Sequence, residues 1–316
     1  MHSYSLNAPA KINLYLEILG DAGDGYHELA MILQSIELAD QIDIRAIGTQ
    51  EIKVHCNHPQ VPTDESNLAY KAAALMWEEF PEYFANLGGV DITIHKRIPV
   101  AAGLAGGSTD AAAVLVGIDM LWQLGLTHPE LEQLAAQLGS DVPFCLAGGT
   151  ALALGRGERL SALPGLDSLY VVLGKYRSLM VSTAWAYQTY RNQFGETYIR
   201  EPEDLESRAN RFHSGPMVKE ILNQDGGQIG KLLRNDLEKV VLPNHPQVLQ
   251  LREAFENSGA IGTMMSGSGP TVFALCESQK QAQEIQQKVS IEITDPDLEF
   301  WVTKLSSQGI QIMSTP

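Results

Sequence analysis

The amino-acid sequence predicts an α+β protein built as two domains, and three observations carry that prediction. Several segments alternate apolar and polar residues with period two, the mark of half-buried strands, and others repeat apolar residues at helical spacing. The chain of 316 residues is long for one hydrophobic core and short for three. Pro164-Gly165 interrupts it near the middle, after a strand-turn-strand pattern, and divides it into residues 1–165 and 166–316.

In chain order, residues 5–18 (SLNAPAKINLYLEI) place Leu6, Ala8, Ala10, Ile12, Leu14, Leu16 and Ile18 on one face. The other face carries Lys11 beside Asn13, ~7 Å apart at the ~3.3 Å rise of a strand and close enough to touch one small ligand. A lysine in such a place is otherwise simply solvated. Pro9 cannot donate to a ladder and implies an edge or irregular strand. Asp24-Gly25 marks a turn, with Tyr26 and His27 just past its tip, where binding residues concentrate on a rigid scaffold. Strands follow at 41–47 and 51–56. Residues 67–80 read as a helix capped by Asp64 or Ser66, with Pro81 beyond its end.

Further along, a helix at 129–138 runs between Thr127 and Gly139, and Asp141 follows as a lone carboxylate among Val142, Pro143, Phe144 and Cys145. A partly desolvated acid there is either a functional group or the brace of a turn. In the second half, LYVVLGKY is a buried strand and VSTAWAYQTY a helix capped at Ser182 or Thr183 and carrying Tyr187. Charged residues 196–227 read as a mobile connection around short helices. Ser266, Gly267, Ser268 and Gly269 make a glycine-serine turn ahead of a strand at 271–276, which either pushes bare backbone toward a neighbour or closes a surface turn.

The segment from Pro99 to Ala113, PVAAGLAGGSTDAAA, joins the strand VDITIHK to a helix with Ala111, Val114, Leu115, Ile118, Leu121 and Trp122 at helical spacing. Gly103, Gly106 and Gly107 permit positive φ and admit a ligand with no Cβ in the way. Ser108, Thr109 and Asp110 supply the helix cap. The N–H groups and positive dipole end of that helix favour an anion, most naturally a di- or triphosphate. Neither a P-loop ending nor G-x-G-x-x-G is present, so a tight turn without a ligand stands as the second reading.

A hydrophobic content of 44%, with 19% charged residues, describes an ordinary globular protein. A net charge of −16 argues against nucleic acid or an anionic membrane as partner, because both reward positive charge. Cys56, Cys145 and Cys276 are odd in number and widely spaced, without a metal or disulfide framework. No run approaches the ~18 apolar residues of a membrane span, and the start has no charged leader, so a cytoplasmic protein is expected.

Four of these stretches, PAKINLYLEI, the central glycine segment, SDVPF and MSGSGPTVFAL, together resemble the GHMP kinase family and match its three ordered motifs. Within it, the pairing of PAKINL with DGYHEL, Asp141 in DVPF and NDLE at 235–238 is similar to members acting on a cytidine diphosphate substrate. The resemblance covers most of the chain and is weakest at 193–223 and after 277. It implies a ribosomal-protein-S5-domain-2-like N-terminal domain over 1–165 and a ferredoxin-like C-terminal domain over 166–316, with ATP and substrate in the cleft between them.

On that resemblance, Gly103, Leu104, Ala105, Gly106, Gly107 and Ser108 would hold the ATP phosphates, Pro99 would belong to the same ATP site, and Asn67 and Lys96 would lie near the adenine. Lys11 and Asp141 would be catalytic. Asn13, Tyr26, His27 and Tyr187 would contact the cytidine-bearing small molecule. Mg²⁺ would bridge the β and γ oxygens, with Ser108 a candidate ligand. Asp141 would accept the proton of the attacking hydroxyl or orient it, and Lys11 would offset charge at the reacting centre. Ala105 stands where many relatives have glycine, which asks that it keep φ below zero; Tyr187 stands where some have phenylalanine. A monomer or weak homodimer is expected. A homoserine or mevalonate-type kinase would share the ATP loop but have no use for Tyr26-His27, and a non-catalytic regulator would lack Lys11 or Asp141.

Overall fold

A computed structural model of the chain describes residues 3–23 and 25–313, without the side chain of Pro202. Asp24, half of the expected turn, lies outside the described residues. One long hairpin founds the first sheet: Ser3–Asp21 and His27–Ala46 pair antiparallel from Ser3–Arg45 to Asp21–His27. The strand expected at 41–47 is the second half of His27–Ala46. Its continuity was hidden by Gln34, Ser35 and Asp40, polar residues that break the alternation yet are buried.

His27–Ala46 serves two neighbours in turn. Its first half pairs with Thr150–Gly155, which turns back into Arg159–Leu163; its second half pairs with Val90–His95, itself parallel to Ile52–Cys56. The outer edge of Ser3–Asp21 is met by Gln311–Ile312 at Leu6 and Asn7 and by Arg234–Asn235 at Tyr15 and Leu16. Between those two short strands lies Pro9, which has no N–H, and a register shift at Pro9/Lys11. There the Lys11 N–H donates to the Leu104 carbonyl at 3.1 Å, so the irregular edge seats the central glycine loop.

Two helices cover this sheet beside that loop. Gly106–Trp122 presses so closely on it that a Cβ on Gly117 would stand 2.8 Å from Ile44 Cγ2. The helix begins at Gly106 with Ala105 as N-cap and no side-chain cap; Ser108, Thr109 and Asp110 lie inside its first turns and do not cap it. Leu68–Glu79 packs alongside. Its cap is Asn67, whose Oδ1 accepts from the Ala69 N–H at 2.8 Å, whereas Asp64 is occupied by Ser66.

The second sheet has four antiparallel strands, Leu298–Lys304, Tyr170–Tyr176, Val272–Cys276 and Gly262–Met265, in that spatial order. In chain order they lie 4-1-3-2, the ferredoxin-like arrangement. Pro246–Asn257 and Gln279–Glu292 cover it through Leu251, Phe255, Ile285 and Val289. Residues 196–227 contain the helices Pro202–Phe212 and Pro216–Leu222, the second of which buries Met217, Val218 and Ile221. Among the described residues no helix is long and apolar enough to cross a membrane.

Candidate active site

A cavity of about 830 Å³ takes its walls from both halves of the chain. Lys11 and Asn13 reach it from the first strand, the glycine loop forms one side, and Thr183, Tyr187, Gly267 and Ser268 come from the second half.

The glycines of the central loop have three separate reasons. Gly103 has φ +73°, and a Cβ there would stand 2.2 Å from the Ser266 carbonyl, because the Ser266–Gly269 turn docks on this loop. Ser266 Oγ completes that contact by donating to the Gly103 carbonyl at 3.0 Å. The two turns therefore brace one another, and Ser266 and Gly269 stand behind Gly267 and Ser268 rather than on the cavity wall. Gly106 leaves room for Lys96 Nζ, 3.0 Å from where its Cβ would lie. Gly107 has only Leu68 Cδ1 near its Cβ position, at 3.6 Å, so the protein itself leaves that space free.

Ala105 overturns the expectation of a negative φ: it stands at φ 57°, ψ 29° in the left-handed region. Alanine pays for that conformation in strain that glycine would avoid, and in return the following N–H groups of Gly106, Gly107 and Ser108 start a helix facing the cavity without a side-chain cap. Such a helix end is suited to phosphate.

Asp141 takes the N-cap position of Val142–Ala147, yet its side chain makes no capping bond. Its Oδ2 instead lies 3.5 Å from Lys11 Nζ, which also donates to Asn13 Oδ1 at 2.8 Å. Lys11 is almost fully enclosed while Asp141 is about one third exposed, with side-chain exposures of 6% and 32%. The alternation that put Lys11 beside Asn13 thus ends in a Lys-Asn-Asp cluster on the cavity wall.

Lys96 reaches the cavity, but its ammonium is held by two enclosed carboxylates, Asp40 and, at 2.9 Å, Asp110. Burial pushes the Asp110 carboxyl up, with the neighbouring Asp40 charge adding to it against Lys96. Asp40 Oδ1 also accepts from the N–H groups of Arg97 and Ile98, tying the triad to the strand that leads into the glycine loop. Asn67 lines the same side, its amide spent on the helix cap and on the Pro62 carbonyl.

At the other end, the His27 and Tyr187 rings lie 5.1 Å apart, and the Tyr198 hydroxyl is 2.8 Å from His27 Nε2. Tyr26 is the exposed member, with the Arg156 guanidinium 4.6 Å above its ring. Arg191 donates to the Gly25 and Tyr26 carbonyls and pairs with Asp21 at 3.1 Å. Sequence reasoning missed Arg156, Arg191 and Tyr198. Arg191 had a signal, since it stands four residues after Tyr187 on one helix face.

Ordered glycine turns, a Lys-Asp pair and an uncapped helix end on one cavity invite comparison with known kinases. The family model of the GHMP kinases N terminal domain matches residues 67–149, and that of the GHMP kinases C terminal matches 217–294. A 4-diphosphocytidyl-2-C-methyl-D-erythritol kinase of Nostoc punctiforme is 67% identical over 316 residues, covering all of both chains. The chain belongs to the GHMP kinases. The kinase of the same name from Trichormus variabilis is 66% identical over 99% of each chain. Among solved GHMP kinases, a 4-(cytidine 5'-diphospho)-2C-methyl-D-erythritol kinase matches with TM-score 0.72 and 30% identity, over 96% of this chain and all of that one. A homoserine kinase from Cytophaga hutchinsonii superposes with TM-score 0.76 at 21% identity, over 99% and 98%. The fold alone therefore does not choose the acceptor within the family.

Proposed function

We infer that this GHMP kinase transfers the γ-phosphoryl group of ATP to the 2-hydroxyl of 4-diphosphocytidyl-2-C-methyl-D-erythritol, a step of the non-mevalonate route to isoprenoid precursors, in the cytoplasm. One observation carries the reading: a single cavity is lined by the uncapped helix end, the Lys11–Asp141 pair and the His27–Tyr187 ring pair. The 66% and 67% identity of the two named relatives along the whole chain supports the choice of acceptor.

Phosphoryl transfer asks for positioning and charge neutralisation more than for covalent help. The Gly106–Ser108 N–H groups hold the phosphates, with Asn67 and Lys96 beside the base of the nucleotide. Asp141 accepts or orients the acceptor hydroxyl proton, and Lys11, fixed by Asn13, places a positive charge beside the reacting oxygens. Tyr187, Tyr26 and His27 take the cytosine. In the main, residues 1–165 serve the nucleotide and 166–316 complete the substrate side.

Mg²⁺ fits this site only as a passenger of the nucleotide. Among the described residues no group of three or more His, Cys, Asp or Glu could hold a metal, and a magnesium ion characteristically sits on substrate phosphates with few protein ligands and several waters. Ser108 is the residue that would reach it. The ion supplies neutralisation of phosphate charge. The reading is tested by coupled ADP release with the cytidine diphosphate substrate beside homoserine, mevalonate and galactose. Turnover of the cytidine compound alone is expected; preference for any of the other three overturns it.

A further inference from the structure

The NDLE stretch at 235–238 stands behind the cavity wall, not on it. Asn235, Asp236 and Leu237 are all buried. Asn235 pairs its backbone with Leu16, on the strand that carries Lys11 and Asn13. Asp236 fixes that placement: its N–H donates to the Leu16 carbonyl at 2.9 Å, and its Oδ2 accepts from the Ile18 N–H at 3.0 Å.

From this anchored backbone the Asn235 side chain reaches across to the glycine-serine turn. Its Nδ2 donates to the Met265 carbonyl at 2.7 Å and to the Gly267 carbonyl at 2.8 Å, which engages both N–H groups of the amide. Its Oδ1 accepts from the Leu237 N–H at 3.0 Å. Glu238 holds the same strand end, accepting from the Met265 N–H at 2.8 Å. Gly267 in turn backs Asn13. With φ +55°, a Cβ on Gly267 would stand 3.4 Å from Asn13 Oδ1, the atom that accepts from Lys11 Nζ. A chain of direct contacts therefore runs from Asn235 through Gly267 and Asn13 to the Lys11 ammonium.

Resting on the phosphoryl-transfer reading above, we propose that Asn235 is a positioning residue: by holding the Gly267 carbonyl it seats the turn against Asn13 and so keeps Lys11 beside the reacting oxygens. A carboxylate in its place keeps the size and the bond to Leu237 but turns an oxygen toward two carbonyl oxygens. The Gly267 peptide then draws back, and Asn13 loses the backing that directs its oxygen at Lys11. The nucleotide side is spared, because Ser266 still bonds to the Gly103 carbonyl.

The decisive experiment is a double-mutant cycle of Asn235→Asp with Asn13→Ala, read as kcat per folded protein with melting curves alongside, joined to crystal structures of the wild type and Asn235→Asp. In the wild-type background Asn235→Asp should lower kcat about tenfold, the scale of one buried hydrogen bond left unmade. The KM for ATP should stay within about twofold, since binding of the nucleotide is not what is lost. With Asn13 already Ala, the further loss should be under about twofold, because the second change then removes a coupling that is already broken. In the crystals, the Lys11–Asn13 bond should be present in the wild type and broken in Asn235→Asp. A residue that serves stability alone would give equal losses in the two backgrounds. Equal losses, an unchanged kcat in folded Asn235→Asp, or a retained Lys11–Asn13 bond overturns the proposal. If Asn235→Asp does not fold, Asn235→Ala, which leaves room for a water at the two carbonyls, goes through the same cycle with the same expectations. A wild type that prefers another acceptor overturns the cytidine reading alone, and the cycle run with that acceptor still judges Asn235.

Discussion

Replacing Asp141 with Asn keeps the shape of the side chain and removes one charge from the Lys11 pair. At 3.5 Å the pair has a gross Coulomb energy of about 5 kcal/mol at an effective dielectric constant of ~20. Little of that should appear as stability. Asp141 is 32% exposed, and Lys11 keeps the Asn13 oxygen at 2.8 Å, so a cost of about 0–1 kcal/mol is expected, as for other solvent-reached pairs. The loss falls on chemistry instead: kcat should drop by ~10²-fold or more, the range of a positioned general base. Coupled ADP release at saturating substrates measures it, with calorimetry showing unchanged ATP affinity and a melting curve showing an intact fold. Lys11→Met should also lower kcat, and the double variant should lose far less than the product of the two single losses. A kcat for Asp141→Asn near the wild-type value, in a folded protein, would refute the catalytic role.

Gly107→Val places a side chain in the space the protein leaves free, so ATP binding should weaken strongly with little change in melting temperature; unchanged affinity by calorimetry moves the phosphates elsewhere. Gly103→Ala should instead destabilise the fold, since its Cβ would meet the Ser266 carbonyl at 2.2 Å from a positive φ, and an unshifted denaturation midpoint would contradict the turn-on-turn contact. Tyr187→Phe should be nearly neutral and Tyr187→Ala should cost ~1–3 kcal/mol in kcat/KM for the cytidine substrate, the worth of one base stacked on one ring; equal effects of the two would remove the stacking role. His27 has a folded pKa of about 4, below its unfolded value of ~6.5. The unfolded state therefore binds the proton more readily between those values, and stability should fall as pH drops from 6.5 to 4. Urea midpoints at pH 7 and pH 5 should converge in His27→Gln relative to wild type, and a wild type as stable at pH 5 as at pH 7 counts against the buried neutral ring.

Where local rules govern, the sequence was readable. Period two alone set Lys11 and Asn13 side by side, and Pro9 announced the irregular edge that receives Leu104. The lone carboxylate Asp141 was visible from its apolar neighbours, although only the structure showed that it does not cap its helix. Contacts set by tertiary packing were not readable. Asp40, Lys96 and Asp110 come from a strand, from the loop after the strand Val90–His95 and from a helix, and they meet only because the helix Gly106–Trp122 lies on the hairpin. The positive φ of Ala105 gave no signal because alanine tolerates that strain only when surrounding contacts enforce it. Tyr198 was out of reach for a similar reason, since its partner His27 lies 171 residues away.

The most direct test of the central claim is a crystal structure of Asp141→Asn with a non-hydrolysable ATP analogue and the cytidine diphosphate substrate. The triphosphate should lie on the N–H groups of Gly106, Gly107 and Ser108, the cytosine between the Tyr26 and Tyr187 rings, and the 2-hydroxyl of the acceptor within ~2.6–3.2 Å of residue 141, the reach of a general base. A triphosphate seated away from that helix end, or an acceptor hydroxyl remote from residue 141 and Lys11, would contradict the account.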